Sequence, residues 1–363
     1  MRSVDEPVRL GVIGCGVIGH AHAEAAVQLE ETELVALADL RLEAAEELAE
    51  ELDVPAAYGS ADDLLDDPAV EAVVLAMPAS ARTPICLRAF ARGKHVLNEK
   101  PLAMNPGEVH RMIEAAGDLV AACCVSRLRL TDAGVRAAEF VRSGALGDLR
   151  VIRVRALHAA TPPPESPPVP WRFNRSMNAG GIMVNWGCYD LDFILGVLDW
   201  KLVPERVLGN AWTIPPDFAD HIAPGSDAET HVAAAVRCAD GPVILYERGE
   251  QVGHRTEQAW SMTGTRGTLH FDIVPQADNS LVFDRAVPEK GIVTETVWQG
   301  DDTWDEVHLA LVRDFAHAVA TDGAPMCTFR QALVVEEVIH GIYESARSGL
   351  TVELNAGRGG TEA

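Results

Sequence analysis

Two stretches of this sequence place polar side chains where they could transfer protons. In the first, Asn98-Glu99-Lys100-Pro101, an amine follows directly after a predicted strand. In the second, the apolar run from Gly180 to Leu195, Asn185, Tyr189 and Asp192 fall at helical positions i, i+4 and i+7 and form one polar stripe. A solvated lysine and a solvent-facing stripe are the simpler alternatives. The absence of Lys, Arg and Glu between residues 176 and 200 argues against an exposed helix.

Lys100 and Tyr189 together suit hydride-transfer chemistry. Oxidising an alcohol requires a base that removes the hydroxyl proton as hydride leaves carbon. Free tyrosine, with a pKa of about 10, is a weak base at pH 7. An ammonium about 4 Å away contributes roughly 4 kcal/mol at an effective dielectric constant of about 20, or about 3 pKa units, and burial opposes that shift. We predict that Tyr189 and Lys100 handle the proton and that Asn185, which cannot be a base, positions substrate.

A glycine-rich turn near the N-terminus predicts the cofactor of such a reaction. Gly14-Cys15-Gly16-Val17-Ile18-Gly19 follows an apolar strand and opens an Ala-rich helix. Gly14 permits the tight turn, Gly16 lets the backbone approach a pyrophosphate, and Gly19 lets the helix pack closely on the strand. Asp39 follows Gly19 by 20 residues at the end of a second strand, which is the context the motif requires. This stretch therefore predicts dinucleotide binding.

Asp39 also bears on which dinucleotide is bound. A carboxylate there accepts hydrogen bonds from both ribose hydroxyls and repels a 2′-phosphate, so NAD is favoured, while Arg41 leaves NADP possible. Residues that follow the strand ends should line the cofactor. The predicted cofactor-binding residues are Gly14, Gly16, Val17, Ile18, Gly19, Asp39, Leu40, Arg41, Ala76, Met77, Pro78, Glu99 and Lys100.

The order of predicted elements indicates two domains. Up to about residue 124, strands alternate with helices of 10 to 15 residues, which predicts parallel βαβ units and a doubly wound Rossmann sheet in residues 1–124. Beyond Ser126, alternating strands joined by turns such as Ala239-Asp240-Gly241 predict an α+β domain in residues 125–363 with an open, mostly antiparallel sheet. Helices should cover one face of that sheet. Because the other face needs a partner, we predict a homodimer or homotetramer formed through it.

Two segments outside the regular elements also shape the expected site. Residues 161–170 hold six prolines, which predicts an extended loop that carries Trp171 and Arg172 back toward the body, where they would wall a substrate cleft. Helices from Trp304 to Ala320 and from Arg330 to Ser348 follow, and the Gly-rich tail 355–363 is expected to fray.

Composition and charge exclude several classes of function. The net charge of −24 argues against nucleic acid and anionic membranes as partners. The start of the chain has no apolar signal region and no run approaches 18 apolar residues, which together favour a cytoplasmic protein. The seven cysteines show no CxxC spacing and are expected to be buried thiols, and the scattered histidines give no metal-ligand pattern, so we expect no metal. A small-molecule substrate is the expected partner.

Four segments of the sequence resemble the Gfo/Idh/MocA oxidoreductase family. They are Val73 to Pro78, Gly93 to Ala103 with its Glu-Lys-Pro motif, Ser143 to Gly147, and Gly180 to Asp192. The resemblance implies a Rossmann domain, an open mixed sheet, a substrate cleft between them, and NAD(P)-linked redox chemistry on sugars, cyclitols or similar polyols. It also implies that Lys100 is the catalytic lysine. The arginine common in the next segment corresponds to Arg129, which with Asn185 and Asp192 would orient substrate hydroxyls.

The sequence departs from the pattern of this family at three positions, two of which concern its inositol-type members. Asn185 and Tyr189 stand where those members carry Asp and His, and the glucose-fructose oxidoreductase and dihydrodiol dehydrogenase branches are similar to this chain in using tyrosine there. Arg82 stands where a histidine is frequent. The loss of the Asp/His pair weakens an inositol assignment and leaves Tyr189 and Lys100 as the proton-handling pair.

Three functions follow from these patterns as hypotheses. The first is an NAD(P)-dependent oxidoreductase that acts on a sugar-like hydroxyl or carbonyl group. The second is a glycosidase that oxidises C3 of a sugar transiently and releases its aglycone without net NADH. The third is a sugar sensor that binds without turnover, against which the retention of both Lys100 and Tyr189 argues.

Overall fold

The N-terminal part of the chain alternates short apolar strands with helices. A computed structural model describes residues 6–166 and 168–355 of the chain. The strands of this part are β1 (Val8–Ile13), β2 (Thr32–Ala38), β3 (Ala56–Tyr58), β4 (Ala72–Leu75), β5 (His95–Asn98) and β6 (Ala121–Cys123). The helices between them are α1 (Val17–Gln28), α2 (Leu42–Leu52), α3 (Ala61–Asp66), α4 (Ala79–Ala91) and α5 (Pro106–Ala116).

These strands form one parallel sheet in the order β3-β2-β1-β4-β5-β6. Strand β4 is buried along its whole length, because helices cover both faces of a parallel sheet. The chain order reverses between β1 and β4, which is where such sheets bind ligands beyond the carboxyl ends of the strands. The predicted doubly wound Rossmann sheet is confirmed. The sequence analysis did not identify β3 and α3, since the three residues of β3 are only half-buried and carry no distinct pattern.

The later part of the chain builds a nine-stranded mixed sheet. Its strands are β7 (Leu149–Ala159), β8 (Pro204–Thr213), β9 (Glu229–Cys238), β10 (Val243–Val252), β11 (Glu257–Gly264), β12 (Gly267–Phe271), β13 (Asn279–Val287), β14 (Gly291–Gly300) and β15 (Val352–Glu353). Their order in the sheet is β14-β13-β12-β11-β7-β10-β9-β8-β15. Every neighbouring pair is antiparallel except β7 and β10, which run parallel. The prediction of an open, mostly antiparallel sheet is therefore confirmed.

Five helices belong to this later part of the chain. They are α6 (Asp132–Arg142), α7 (Arg175–Asn178), α8 (Cys188–Val197), α9 (Trp304–Thr321) and α10 (Phe329–Ser348). A π-helical turn, Met183–Gly187, leads into α8, and 3-10 segments span Cys124–Leu130 and Pro216–His221. The described residues of the proline-rich loop 161–170 form neither helix nor strand, as predicted, and residues 356–363 of the predicted frayed tail lie outside the described residues. Among the described helices, none is long and apolar enough to cross a bilayer.

Contacts divide the chain into two compact units. The first comprises the residues up to Arg127 together with Trp304–Leu333, and the second comprises Leu128–Thr303 and the residues from Val334 onward. Helix α9 thus packs with the first unit, where it contacts α1. The predicted second domain included every residue after 124, and no pattern in the sequence indicates that α9 returns to the first unit.

Candidate active site

The glycine turn between β1 and α1 has the close contacts that its motif requires. Gly14 has φ +99°, and a Cβ on it would stand 2.6 Å from the Ala76 carbonyl oxygen. A Cβ on Gly19 would stand 1.7 Å from the Gly14 carbonyl oxygen, so only glycine lets α1 begin this close to β1. A Cβ on Gly16 would meet nothing within 4 Å, so the backbone there faces open space. The turn is therefore open on the side where a pyrophosphate would approach.

The surroundings of this turn fit a nicotinamide dinucleotide. Helix α1 has no side-chain cap at Gly16 and no acidic residue in its first turn, which leaves its N-terminal amides available to an anion. Three apolar side chains beside the turn are exposed: Val17 at 88%, Leu40 at 94% and Ile18 at 38%. A bound dinucleotide would cover these exposed apolar side chains and would accept hydrogen bonds from the N-terminal amides of α1.

Asp39 is held in place by the two turns that flank it. Its Oδ2 accepts a hydrogen bond from the Cys15 amide (2.9 Å) and its Oδ1 accepts one from the Arg41 amide (2.9 Å). A carboxylate offers about four acceptor positions, so two remain for the ribose hydroxyls. Burial, helped by the Asp39 charge, raises the pKa of Cys15 to about 11, so the thiol at the turn stays protonated at neutral pH.

Lys100 lies in a turn, Asn98–Leu102, that follows β5 at the same sheet edge as the glycine turn. We call these residues the Lys100 turn. The buried Asn98 side chain donates to the Leu102 carbonyl (3.2 Å), and the Lys100-Pro101 peptide bond is cis. Arg82, which is 1% exposed, donates from α4 to the Pro101 carbonyl. The buried guanidinium of Arg82 thus binds the Lys100 turn.

The carboxylate of Glu99 is bound by three protein groups. Its Oε1 lies 2.9 Å from His22 Nε2 of α1 and also accepts a hydrogen bond from Arg127, and its Oε2 accepts one from the Lys100 amide (2.9 Å). Burial alone would raise the pKa of Glu99, but Arg127, His22 and Lys100 together hold it well below its usual value. The predicted role of Glu99 as a cofactor ligand stays a prediction, because these protein groups already occupy the carboxylate.

The same cluster includes Cys124 and His308. Cys124 Sγ lies 3.9 Å from His22 Nε2, and the His308 ring meets the His22 ring edge-on at 5.8 Å. Burial, together with Arg127, lowers the pKa of His308 to about 4, so His308 is neutral at pH 7. His22, Glu99 and Cys124 are close enough to hold a metal ion, but Arg127 already supplies the positive charge. We therefore interpret the cluster as a hydrogen-bonded ion pair.

In the second unit, close contacts around two glycines fix the start of the polar helix. A Cβ on Gly180 would stand 2.1 Å from the Tyr343 hydroxyl, and one on Gly181 would stand 1.9 Å from the Glu229 carbonyl oxygen. The Glu229 side chain then accepts hydrogen bonds from the Gly181 amide (3.0 Å), the Met183 amide (3.1 Å) and the Tyr343 hydroxyl (2.7 Å). Glu229 therefore caps the segment that carries Asn185 and Tyr189. The sequence analysis did not identify it, because its partners are distant in the chain.

The three residues of the predicted polar stripe are all buried. Asn185 is 9% exposed, Tyr189 4% and Asp192 1%. Asn185 lies in the π-helical turn, and the Tyr189 ring meets the Trp186 ring edge-on at 5.7 Å. The π-helical turn changes the angular spacing that a regular α-helix would give to this stripe. π-helical turns occur frequently at functional sites.

Asp192 and Arg129 bind each other. Arg129 donates from Nε (2.7 Å) and Nη2 (3.1 Å) to the two carboxylate oxygens, and both side chains are buried. The guanidinium packs against α8, since a Cβ on Gly196 would stand 2.3 Å from Arg129, and it lies 5.4 Å from the Trp200 ring. A substrate would therefore meet this ion pair as a unit. Their predicted role in orienting substrate hydroxyls stays a prediction.

Trp171 and Arg172 follow the proline-rich loop. Trp171 is 38% exposed, whereas Arg172 donates to Glu250 (2.6 Å) and lies over the Phe173 ring. Burial raises the pKa of Glu250, and Arg172 limits that rise. The exposed indole is therefore the more accessible of the two proposed substrate contacts.

A buried carboxylate that the sequence analysis missed lies between the stripe residues. Asp190 is completely buried and accepts two hydrogen bonds from Arg248 (2.6 and 2.8 Å), one from Tyr246 (2.9 Å) and one from Trp260 (2.9 Å). Its position within an apolar helix was a usable signal, because a buried charge needs partners. Asp190 was not predicted because only the residues at i, i+4 and i+7, Asn185, Tyr189 and Asp192, were considered as one polar face of the helix.

Comparison with known proteins identifies the family. Residues 8–126 match an oxidoreductase family with an NAD-binding Rossmann fold, and residues 135–270 match the GFO/IDH/MocA C-terminal domain. A D-xylose 1-dehydrogenase (NADP(+)) of Haloferax volcanii is 30% identical over 354 residues, which cover 95% of this chain and 99% of that protein. This chain belongs to the Gfo/Idh/MocA family. It is an NAD(P)-dependent oxidoreductase that acts on CH-OH groups.

Two further relatives illustrate the range of this Gfo/Idh/MocA family. A mouse trans-1,2-dihydrobenzene-1,2-diol dehydrogenase is 31% identical over 205 residues, which cover 55% of this chain and 59% of that protein. The fold resembles that of a levoglucosan dehydrogenase solved with NADH and levoglucosan, with a TM-score of 0.84, 23% identity and coverage of 96% and 100% of the two chains. At that identity the likeness shows the fold alone.

Proposed function

We propose that this Gfo/Idh/MocA protein transfers hydride between NAD(P), with NAD preferred, and a sugar, cyclitol or related polyol or keto sugar. The observation that carries the proposal is the placement of Lys100 at the sheet edge that fits a dinucleotide, in a turn held by the buried Arg127–Glu99 ion pair and by hydrogen bonds at the Lys100 amide and the Pro101 carbonyl. The names of the D-xylose and levoglucosan relatives support the substrate class.

The roles we assign to the residues follow from their chemistry. NAD(P), when bound, supplies or accepts the hydride. Tyr189 takes or returns the proton of the substrate hydroxyl, and Lys100 donates a hydrogen bond to the same oxygen and favours the phenolate electrostatically. Asn185 positions the substrate. Lys100 and Tyr189 belong to different compact units. That their side chains converge on the substrate is therefore a part of the proposal itself.

Further substrate contacts complete the proposal. The Arg129–Asp192 ion pair presents one charged surface to substrate hydroxyls, while Trp171 and Arg172 wall the cleft. We assign the protein to the tyrosine-type branch, which resembles glucose-fructose oxidoreductase and dihydrodiol dehydrogenase, because Tyr189 and Asn185 stand where inositol-type members carry His and Asp. The similarity to the mouse dihydrodiol dehydrogenase supports this branch.

A substrate screen tests the proposed reaction. Aldoses, cyclitols and keto sugars are each incubated with NAD(H) and NADP(H), and the absorbance of the reduced nicotinamide is followed. We expect a stoichiometric absorbance change with at least one sugar, and a higher kcat/KM with NAD than with NADP because of Asp39. Release of an aglycone without net NADH would instead indicate the glycosidase, and binding without turnover would indicate the sensor.

We further propose that the nine-stranded sheet forms a homodimer or homotetramer through its open face. Leu208, Ala235 and Leu245 lie side by side in register across β8, β9 and β10, and the two leucines are 52% and 41% exposed. They border a groove of about 640 Å³. A second copy of the same face would bury this apolar surface.

Light scattering after size-exclusion chromatography tests the oligomer. We expect a mass at a multiple of 39.0 kDa for the natural protein and a monomer for Leu245→Glu, because the new charge would have to be buried. Val135→Glu, at an exposed position of α6, is the matched control and should keep the mass of the natural protein. A natural protein that elutes as a monomer would contradict the proposal.

We infer a cytoplasmic location from the state of the cysteines. All seven are free thiols, and six of them are buried, as predicted. Burial raises the pKa of Cys238 to about 12, so it stays a protonated, unreactive thiol. Cysteines that are buried and unpaired are expected in a reducing compartment.

A further inference from the structure

The Lys100 turn is held by polar side chains from three other elements of the first unit. His22 comes from α1, Arg82 from α4, and Arg127 from the 3-10 segment after β6. All three residues are at most 2% exposed. We call these three residues the Lys100 clamp. None of the three was among the predicted site residues.

We propose that the Lys100 clamp is a set of positioning residues that aims the Lys100 amine. This inference rests on the proposed role of Lys100 in the reaction. The clamp binds both neighbours of that residue, at the side-chain carboxylate of Glu99 before it and at the backbone carbonyl of Pro101 after it.

On the Glu99 side, the contact passes through the carboxylate to the backbone of Lys100. Glu99 is ionised, so it can only accept, and His22 must therefore carry its hydrogen on Nε2. Arg127 donates to the same oxygen, and the other oxygen accepts from the Lys100 amide. Two donors thus fix the carboxylate, and the carboxylate fixes the amide of the catalytic lysine.

On the Pro101 side, the contact is a charge-assisted hydrogen bond to the main chain. Arg82 donates to the Pro101 carbonyl, and its burial removes competition from water. The Glu99 amide in addition donates to the Leu75 carbonyl of β4 (3.1 Å), which joins the turn to the centre of the sheet. The Lys100 backbone therefore has bound neighbours on both sides.

Loss of one clamp residue should shift Lys100 without removing it. A displacement of about 1 Å at a reacting group can cost on the order of 10²-fold in rate. We therefore expect His22→Leu and Arg82→Met to lower kcat by at least about tenfold and to leave the KM of the substrate within about threefold. His22→Gln and Arg82→Lys keep a donor and should recover most of the loss.

A measurement that needs no substrate tests the position of Lys100 directly. The sequence contains four lysines, Lys94, Lys100, Lys201 and Lys290. Reductive dimethylation of the full protein with ¹³C-formaldehyde gives each lysine a methyl signal, and the signal that Lys100→Arg removes is that of Lys100. We expect this signal to shift in His22→Leu and Arg82→Met and to return toward its original position in His22→Gln and Arg82→Lys.

The other signals and one neighbouring histidine are the controls. The Lys94, Lys201 and Lys290 signals should stay in place in every variant. His20→Leu is matched to His22→Leu, because His20 lies two residues earlier in α1 but is half-exposed and pairs with Glu24 and Glu51. It should leave the Lys100 signal and kcat unchanged.

The outcomes separate this inference from the proposed function. An unshifted Lys100 signal in folded His22→Leu and Arg82→Met, with only a lower midpoint of unfolding, would show that the clamp merely stabilises the fold. A shifted signal in these variants, with full turnover in Lys100→Met, would leave the clamp in place and remove Lys100 from the reaction.

Discussion

Replacing Lys100 with methionine is expected to lower kcat by about 10³-fold or more while leaving the Kd for NAD within about threefold. Methionine has nearly the length of lysine but neither its charge nor its donors, so under the proposed mechanism the substrate oxygen and Tyr189 would both lose their cationic partner. Acid–base catalysis by a positioned group contributes typically 10²–10⁴-fold. Cofactor affinity should persist, because the glycine turn, the N-terminus of α1 and Asp39 remain. Steady-state kinetics and titration of nicotinamide fluorescence measure the two quantities.

Lys290→Met is the control for this experiment. Lys290 is exposed in the turn between β13 and β14, so its loss should change neither kcat nor Kd. Full turnover in Lys100→Met would remove that residue from the mechanism. A Kd that rises in proportion to the fall in kcat would show instead that Lys100 serves cofactor binding.

Replacing Asp190 with asparagine is expected to lower the free energy of unfolding by about 3–5 kcal/mol, the usual cost of breaking a buried ion pair. Arg248 is 1% exposed, and although burial alone would lower its pKa, the Asp190 charge raises it. The substitution would therefore leave a buried guanidinium without its counter-ion. The asparagine NH2 group would also face the donors of Tyr246 and Trp260, so a hydrogen bond to the carboxylate would be replaced by two donors without an acceptor. Urea denaturation followed by circular dichroism gives the change in unfolding free energy.

Two further variants make the Asp190 prediction specific. Asp199→Asn changes an exposed aspartate two residues after α8 and should cost less than about 0.5 kcal/mol. The double variant Asp190→Asn with Arg248→Met should recover part of the stability, because it removes the unpaired charge. Equal losses for Asp190→Asn and Asp199→Asn would contradict the assignment of Asp190 as a structural ion pair.

Local patterns were enough to predict most of the first unit. The alternation of strands and helices up to residue 124 could be predicted, since apolar runs such as that of β5 and the Asn-Pro start of α5 are visible in the sequence itself. The glycine turn and Asp39 were predicted for the same reason, because their spacing carries the geometry. Strand β14 was missed because seven of its ten residues are exposed, so no alternating pattern marks it.

The contacts that hold the candidate site could not be predicted, because they join residues far apart in the chain. Glu229 reaches Gly181 across 48 positions, and Arg127 reaches Glu99 across 28. The polar stripe was inferred from regular α-helical spacing, and the π-helical turn at Met183–Gly187 has no signature in the residues themselves. Sequence patterns therefore gave Lys100 and Tyr189 as candidates, whose roles stay predictions, whereas only the structure gave the groups that surround them.

The return of α9 to the first unit has a consequence for biosynthesis. During translation, α1 emerges early, but the helix that covers it begins at Trp304. The ribosome must therefore produce residues 128–303 before the nucleotide-binding unit can close. Until then the nascent chain leaves part of α1 uncovered, which makes it a target for chaperones. A fragment that ends near Arg127 would keep every glycine of the cofactor motif but would lack α9, the helix that packs against α1 in the same unit.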